Sequence, residues 1–171
     1  MYLWVTCRLP EAFEREQRVS IRQAQEEAGL SAVSVRPDPL YIALIKPTQV
    51  EDKRVPALVT HIETLLRREK PFVIQLAGVE IEGHALALSI RQSSRLKALR
   101  ASLQRELMSF KTETSTHFNL PVLYSEEKAL LQHIYQEWSQ YSNEELLGIE
   151  QFVVLCSEDG KNFRVLSEIT V

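Results

Sequence analysis

The sequence predicts an α+β fold in which two lobes of antiparallel sheet surround a central cleft, with helices packed outside and a pseudo-twofold duplication. Three observations support this prediction. The predicted elements follow the order strand, helix, strands, helix, strand, strand, helix, strand, helix, hairpin, which suggests antiparallel sheets covered by helices. Short turns join neighbouring strands, as in hairpins. One four-residue pattern occurs twice, and its two copies can face each other across the cleft.

Length and composition favour one domain spanning residues 1–171, or two small lobes that share a core. The chain has 171 residues, of which 44% are hydrophobic and 25% charged, near the averages for globular proteins. No run approaches the ~18 uninterrupted apolar residues of a membrane span. The first residues also show no basic leader with a long apolar core. We therefore expect a soluble, cytoplasmic protein without a membrane partner.

Cysteines and charge limit the kinds of site. Cys7 and Cys156 lie in apolar runs without CxxC spacing or clustered histidines, which argues against a metal site or a disulfide framework. We expect both to be buried in strands. The net charge of -3 gives the chain no overall basic surface for long nucleic acids, so any RNA contact must be local. No metal or other cofactor is predicted.

The first half of the chain contains three predicted strands and two helices. Residues 2–7 are predicted as a strand, and a helix then begins at residues 9–11, with proline and an acid in its first turn, and continues to Gly29. Residues 31–35 and 40–45 are predicted as a strand pair. A capping box, Thr48 with Glu51, introduces the strongest helical pattern. Its apolar positions are Val55, Leu58, Val59, Ile62, Leu65 and Leu66.

The second half contains two hairpins, two helices and a further strand. Residues 72–79 and 85–90 are predicted strands joined through Glu82-Gly83-His84. A helix from about Ser94 carries a stripe of leucines, and the basic residues around it, Arg95, Lys97, Arg100 and Arg105, are interpreted as a solvated face. The remaining predictions are a strand over residues 117–123, a helix capped by Ser125, and a hairpin of residues 152–156 and 163–166 turned at Asp159-Gly160.

The repeated pattern is a tetrad of an aromatic or histidine, an apolar residue, a small or polar residue and a leucine. Its copies are Tyr41-Ile42-Ala43-Leu44 and His117-Phe118-Asn119-Leu120, and each follows a helix and a polar segment. At these tetrads the sequence resembles the two-histidine phosphoesterase superfamily, which includes the RNA 2',3'-cyclic phosphodiesterases once called 2',5' RNA ligases. Element order and spacing extend the resemblance over nearly the whole chain.

The resemblance implies a catalytic site made from both tetrads. In such enzymes each lobe contributes a His-apolar-Thr/Ser-apolar motif; the histidines act as general base and general acid on a cyclic phosphate, and the hydroxyls hold its oxygens without a metal. Carried over to this chain, His117 matches a catalytic histidine. Tyr41 replaces the other histidine, Ala43 replaces one hydroxyl and Asn119 replaces the second. Asn119 could still donate its amide to a phosphate oxygen, whereas Ala43 offers no polar group.

These replacements carry a cost in rate. Acid or base catalysis by one group accelerates a reaction about 10²–10⁴-fold. Losing one catalytic partner therefore removes roughly 3–5 kcal/mol of transition-state stabilisation. A phenol, with a reference pKa near 10, is protonated at neutral pH and can act as an acid but is a poor base. Tyr41 can equally be an aromatic that packs in a strand, and His117 a hydrogen-bonded structural residue.

Several further residues are candidates for the rim of the cleft. Lys46, Arg91, Lys111 and Tyr124 lie near predicted strand ends and could bind a substrate, although isolated surface charges usually serve solvation. His84 could replace the missing histidine if its turn folds into the cleft.

Three functions remain open, and we favour them in the following order. The first is a divergent, catalytically impaired family member, a pseudoenzyme, whose cleft still holds a phosphate, a nucleotide or an RNA end. The second is a non-enzymatic domain that binds a protein partner on the same fold. The third is an active, metal-independent RNA 2',3'-cyclic phosphodiesterase with His117 as base and Tyr41 as acid.

Overall fold

The computed structural model describes residues 1–28, 34–35, 40–91, 93–110, 117–139 and 145–171, which form nine strands and four α-helices. The strands are β1 (Tyr2–Arg8), β2 (Ser34–Val35), β3 (Tyr41–Gln49), β4 (Phe72–Glu82), β5 (Ala85–Ile90), β6 (Asn119–Tyr124), β7 (Leu146–Ile149), β8 (Gln151–Ser157) and β9 (Arg164–Thr170). The helices are α1 (Glu11–Ala28), α2 (Val55–Leu66), α3 (Ser94–Glu106) and α4 (Lys128–Ser139). Gly29, residues 31–33 and Lys111, which entered the predictions above, lie outside the described residues.

The strands form two antiparallel sheets. The first sheet has the order β3-β1-β8-β9, and the second sheet has the order β2-β6-β5-β4-β7. All the pairings between their strands are antiparallel. The chain thus has the predicted α+β fold, and that prediction is confirmed.

The helix-facing sides of the two sheets share an apolar core. Phe152 of β8 is fully buried, and its ring lies 6.3 Å from that of Phe72 on β4, so this pair joins the two sheets. Helix α2 contributes Ile62 and Leu66 to the same core, and α3 contributes its leucine stripe. Cys7 and Cys156 are buried there as free thiols, as the sequence predicts, and burial raises the pKa of the Cys7 thiol far above its ordinary value.

The opposite face of the first sheet carries a smaller aromatic cluster. It consists of the buried residues Trp4, Tyr41, Val153 and Leu155, with Ala43 and Phe163 packed against them. Side chains alternate between the two faces of a strand. Each of β1, β3 and β8 therefore contributes side chains both to the main core and to this cluster.

The capping box predicted at Thr48 and Glu51 is wrong. Strand β3 continues through Lys46 and Pro47 to Gln49, and Thr48 is buried in it with its hydroxyl donating to the carbonyl of Lys46. A proline fits here because β3 is an edge strand and its pairing with β1 is irregular at this point, so no ladder N–H is lost. Residues 52–54 then form a 3₁₀ turn before α2.

The closing hairpin turns at Asp159 and Gly160, as predicted. The Asp159 carboxylate accepts hydrogen bonds from the Ser157 hydroxyl and from the backbone N–H groups of Lys161 and Asn162. Gly160 has a φ of 72°, a left-handed conformation that favours glycine. The residue types of the turn therefore match its geometry.

We expect the stabilisation by Asp159 to be lost in acid. The backbone N–H of Asn162, followed by the Ser157 hydroxyl and the Lys161 N–H, holds the pKa of the Asp159 carboxyl far below its usual range. Because the folded-state pKa is lowered, the stabilisation is complete above the unfolded pKa of about 3.9 and declines as the pH falls through the folded pKa. Urea unfolding at neutral and at strongly acidic pH, compared between the wild type and Asp159→Asn, measures this. The advantage of the wild type should shrink in acid, and a constant advantage would contradict the prediction.

Candidate functional site

The structure brings the two tetrads together through one arginine on α3. Arg100 donates from Nε to the carbonyl of Leu44 (2.9 Å), from Nη2 to that of Ala43 (2.9 Å), and from Nη1 to that of His117 (3.2 Å). The first two acceptors lie on β3, and the third lies two residues before the start of β6. The backbones of both tetrads therefore lie within reach of a single guanidinium group.

The sequence interpretation of Arg100 as part of a solvated face is wrong. Its guanidinium is half-buried and lies 3.5 Å from the centre of the Phe118 ring, a cation–π contact. Burial lowers the pKa of Arg100 to about 10, so the group stays charged at neutral pH. One feature of the sequence does indicate partial burial: Arg100 follows Leu99 directly and so lies at the margin of the buried face of α3.

The two predicted catalytic side chains have different surroundings. His117 is exposed, just before β6. Tyr41 is only 5% exposed and packs edge to face against Trp4, with 5.9 Å between ring centres. Trp4 in turn packs against Phe163 at 5.3 Å. The Tyr41 ring is thus part of the aromatic cluster, and any chemistry of its phenol must take place in that packed setting.

Asn119 binds two carboxylates. Its side-chain amide donates to Oε1 of Glu80 at 3.0 Å and to Oε2 of Glu82 at 2.7 Å, and the Ser89 hydroxyl also donates to Glu80 at 3.1 Å. These residues come from β6, β4 and β5, which are neighbours in the second sheet. Both hydrogens of the Asn119 amide therefore form hydrogen bonds to Glu80 and Glu82, which we call the glutamate pair.

The hydroxyl of Thr6 lies near the position at which the family resemblance predicts a hydroxyl in place of Ala43, but it is already engaged. Thr6 of β1 pairs with Ala43 across the first sheet and is fully buried. Its hydroxyl donates to the carbonyl of Val153 at 3.0 Å. Since that hydrogen is committed, Thr6 has none to offer to a phosphate oxygen at the tetrad.

Of the four candidate rim positions, the structure places Arg91 beside the tetrads. Ser89 pairs with Asn119, and the N–H of Ile90 donates to the carbonyl of Phe118; this antiparallel register puts Arg91 opposite His117. Arg91 is exposed. His117 and Arg91 therefore lie at one end of the polar face of the second sheet, two residues along their strands from Asn119 and Ser89, whose side chains bond to the glutamate pair.

The other predicted rim residues lie farther along their strands. Lys46 is five residues beyond Tyr41 on β3, and Tyr124 is five residues beyond Asn119 on β6, distances of about 16 Å in extended strands. His84 lies in the turn between β4 and β5, where Nδ1 is 3.4 Å from the Glu126 carboxylate. That turn is at the end of β5 away from Asn119, so the structure does not bring His84 to the tetrads.

Three other features of the described residues bear on function. Within the described ranges, no group of three or more His, Cys, Asp or Glu side chains could hold a metal ion. A groove of about 700 Å³ lies between α1, α4 and the helix-covered face of the second sheet; Leu76, Leu88 and Trp138 line it. In the part of the chain that the structure describes, no helix is long and apolar enough to cross a membrane.

Fold and site together define a class of protein: two-lobed α+β proteins with one tetrad from each lobe at the meeting point of two antiparallel sheets. A sequence model of the 2'-5' RNA ligase superfamily matches residues 10–158. The chain belongs to the 2'-5' RNA ligase superfamily, and the resemblance inferred from the tetrads is confirmed.

Solved structures of similar fold cover nearly the whole chain. TT0787 of Thermus thermophilus has a TM-score of 0.69 and 16% identity, over 99% of this chain and 97% of that one. E. coli LigT complexed with NADP+ has a TM-score of 0.69 and 17% identity, over 99% and 96%. E. coli LigT complexed with 3'-AMP has a TM-score of 0.68 and 16% identity, over 99% and 97%. At these identities the likeness shows the fold alone, and no curated protein matches the sequence significantly.

Proposed function

We propose that this chain is a catalytically impaired member of the 2'-5' RNA ligase superfamily, whose cleft holds the phosphate of a nucleotide or of an RNA end beside His117 and Arg91. The observation that carries the proposal is the double hydrogen bond from Asn119 to Glu80 and Glu82. Asn119, which the family resemblance predicts to bind a phosphate oxygen, donates to two carboxylates instead.

The glutamate pair opposes phosphate chemistry for an electrostatic reason. Cleavage of a cyclic phosphodiester builds negative charge on the phosphate oxygens, and catalysis requires donors aimed at that charge. Here the Asn119 donors are neutralised by carboxylates, which would repel the developing charge. Ala43 has no hydroxyl, so it supplies no donor that could compensate.

The acid–base pair is also incomplete. His117 is exposed and can exchange protons with a ligand, but its expected partner, Tyr41, packs in the aromatic cluster. A phenol is a poor general base at neutral pH. Loss of one acid–base partner lowers the rate by about 10²–10⁴.

Ligand binding has separate support. Arg91 and His117 lie next to each other at the exposed end of the polar face, and an arginine can hold phosphate oxygens with two parallel hydrogen bonds. LigT, which has the same fold, has been solved with NADP+ and with 3'-AMP. A nucleotide or RNA end is therefore the ligand class that we propose.

A turnover assay tests the catalytic part of the proposal. The purified protein is incubated with an oligoribonucleotide ending in a 2',3'-cyclic phosphate, and ring opening is followed in parallel with His117→Ala and a no-protein blank. We expect the wild type and His117→Ala to match the blank. Turnover by the wild type that His117→Ala abolishes would show an active phosphodiesterase and overturn the proposal.

A binding assay tests the ligand part. Titration calorimetry with 3'-AMP should show weak binding by the wild type and none by His117→Ala or Arg91→Ala. Lys46→Ala and Tyr124→Phe are matched controls, because Lys46 lies about 16 Å along β3 from Tyr41 and Tyr124 lies about 16 Å along β6 from Asn119. If the wild type and all variants fail to bind 3'-AMP, the result would contradict the ligand part of the proposal and favour a domain that binds a protein partner.

A further inference from the structure

The two tetrads lie where edges of different sheets approach each other. Strand β3 is one of the two edge strands of the first sheet. Strand β6 pairs with β5 on one side, and β2 pairs with its last two residues, Leu123 and Tyr124, on the other. The beginning of β6 lies close to β3, and within the described residues these two strands share no ladder. Backbone carbonyls at such an edge need partners from elsewhere.

An irregularity in β3 turns two successive carbonyls toward this gap. Thr6 pairs with Ala43 and Val5 pairs with Ile45, so Leu44 is an extra residue on β3. In a regular strand, successive carbonyl oxygens point to opposite sides, whereas a bulge redirects one of them. Because of this extra residue, the carbonyls of Ala43 and Leu44 can both accept from the same guanidinium.

We propose that Arg100 is the positioning residue that sets the spacing of the two tetrads. Its three nitrogens bind two carbonyls of β3 and the carbonyl of His117, and the Phe118 ring holds the plane of the guanidinium. The fork is planar and rigid, so the three acceptors are held at defined distances from one another. This role concerns the geometry of the cleft and does not depend on turnover or ligand binding there.

A change in the spacing of the tetrads should move the two sheets relative to each other, and pulsed electron–electron spin resonance between two spin labels measures that movement. Lys161 lies in the β8–β9 turn of the first sheet, and Lys128 lies on α4, which packs on the second sheet; both are exposed. Labels attached to Lys128→Cys and Lys161→Cys report the distance between the sheets. The native cysteines are buried, and the protein without added cysteines should take up no label.

We expect one narrow distance distribution in the otherwise wild-type protein and a broader or shifted one in Arg100→Ala. Arg100→Lys should give the same change in weaker form, because an ammonium keeps the charge but not the fork. Arg105→Ala is the matched control, since Arg105 lies on the same helix and bonds to Ser102 within it. An unchanged distribution in Arg100→Ala, even with a lowered melting temperature, would overturn the proposal. Should Arg100→Ala fail to fold, an unchanged distribution in Arg100→Lys would do the same.

Discussion

Replacing both glutamates of the pair, in Glu80→Gln/Glu82→Gln, should raise the affinity for 3'-AMP by at least about tenfold. A phosphate about 5 Å from each carboxylate meets a repulsion of about 1 kcal/mol per charge in water-like surroundings, and about 3 kcal/mol at an effective dielectric constant near 20. Glutamine keeps an amide oxygen that can accept from Asn119, so the local structure should survive. Titration calorimetry with 3'-AMP, and with inorganic phosphate, measures the gain.

Two controls separate the effect of the glutamate pair on the phosphate from an effect of the net charge of the protein. Glu26→Gln/Glu150→Gln changes the net charge equally at exposed positions outside the glutamate pair and should leave the affinity nearly unchanged. Adenosine, which carries no phosphate, should bind the wild type and the Glu80→Gln/Glu82→Gln variant alike. An unchanged affinity for 3'-AMP in that variant would mean that the glutamate pair does not face the phosphate, and the proposed site would be wrong.

Truncation of the core aromatic Phe152 to alanine should destabilise the protein by roughly 3–5 kcal/mol. Phe152 is fully buried and its ring contacts Phe72 across the two sheets, so the cavity would open where the lobes share their core. For a chain of this length, we expect the melting temperature to fall by about 6–20 °C. Phe152→Leu, which keeps the site apolar, should cost much less, and so should Phe163→Ala at the half-buried margin of the aromatic cluster.

The same variant tests our proposal that residues 1–171 act as one domain. The chain has two tryptophans: Trp4 lies on the first sheet, and Trp138 lies on α4, which packs on the second sheet. In a Trp138→Phe background the fluorescence reports the first sheet, and in a Trp4→Phe background it reports the second. Phe152→Ala should lower both unfolding transitions together. A shift confined to the Trp4 signal would mean that the lobes unfold independently.

Local chemistry made most of the elements predictable. The period of the leucines in α3 and of the apolar residues in α2 matches a helix, and Asp159-Gly160 has the residue types of its turn. The misplaced cap at Thr48 arose because its spacing to Glu51 is the same in a capping box and in a strand that runs on. Strand β7 was not predicted, since four residues including Gly148 carry little strand signal and pair with distant residues of β4.

The candidate site was predictable in part. Tetrads that resemble a known motif identify His117 and Asn119 as positions of interest. The place of Arg91 near a strand end predicts a rim residue, and the structure adds its register opposite His117. The glutamate pair left no such signal, because Glu80 and Glu82 follow the predicted strand like ordinary solvent-facing acids near a turn. The role of Arg100 left no signal for a related reason: in the sequence it is one of several basic residues on α3, and only the structure shows its acceptors.

The sequence by itself therefore determined the fold class and the family, and it predicts the loss of three of the four working positions in the two tetrads, since periodicity and residue identity are local properties. Tertiary structure alone decided what surrounds those positions. It placed Arg100 between two sheet edges, and it brought the carboxylates of Glu80 and Glu82 to Asn119 across neighbouring strands. Hydrogen bonds and electrostatic fields depend on distances between residues far apart in the chain, and those distances exist only once the sheets have formed.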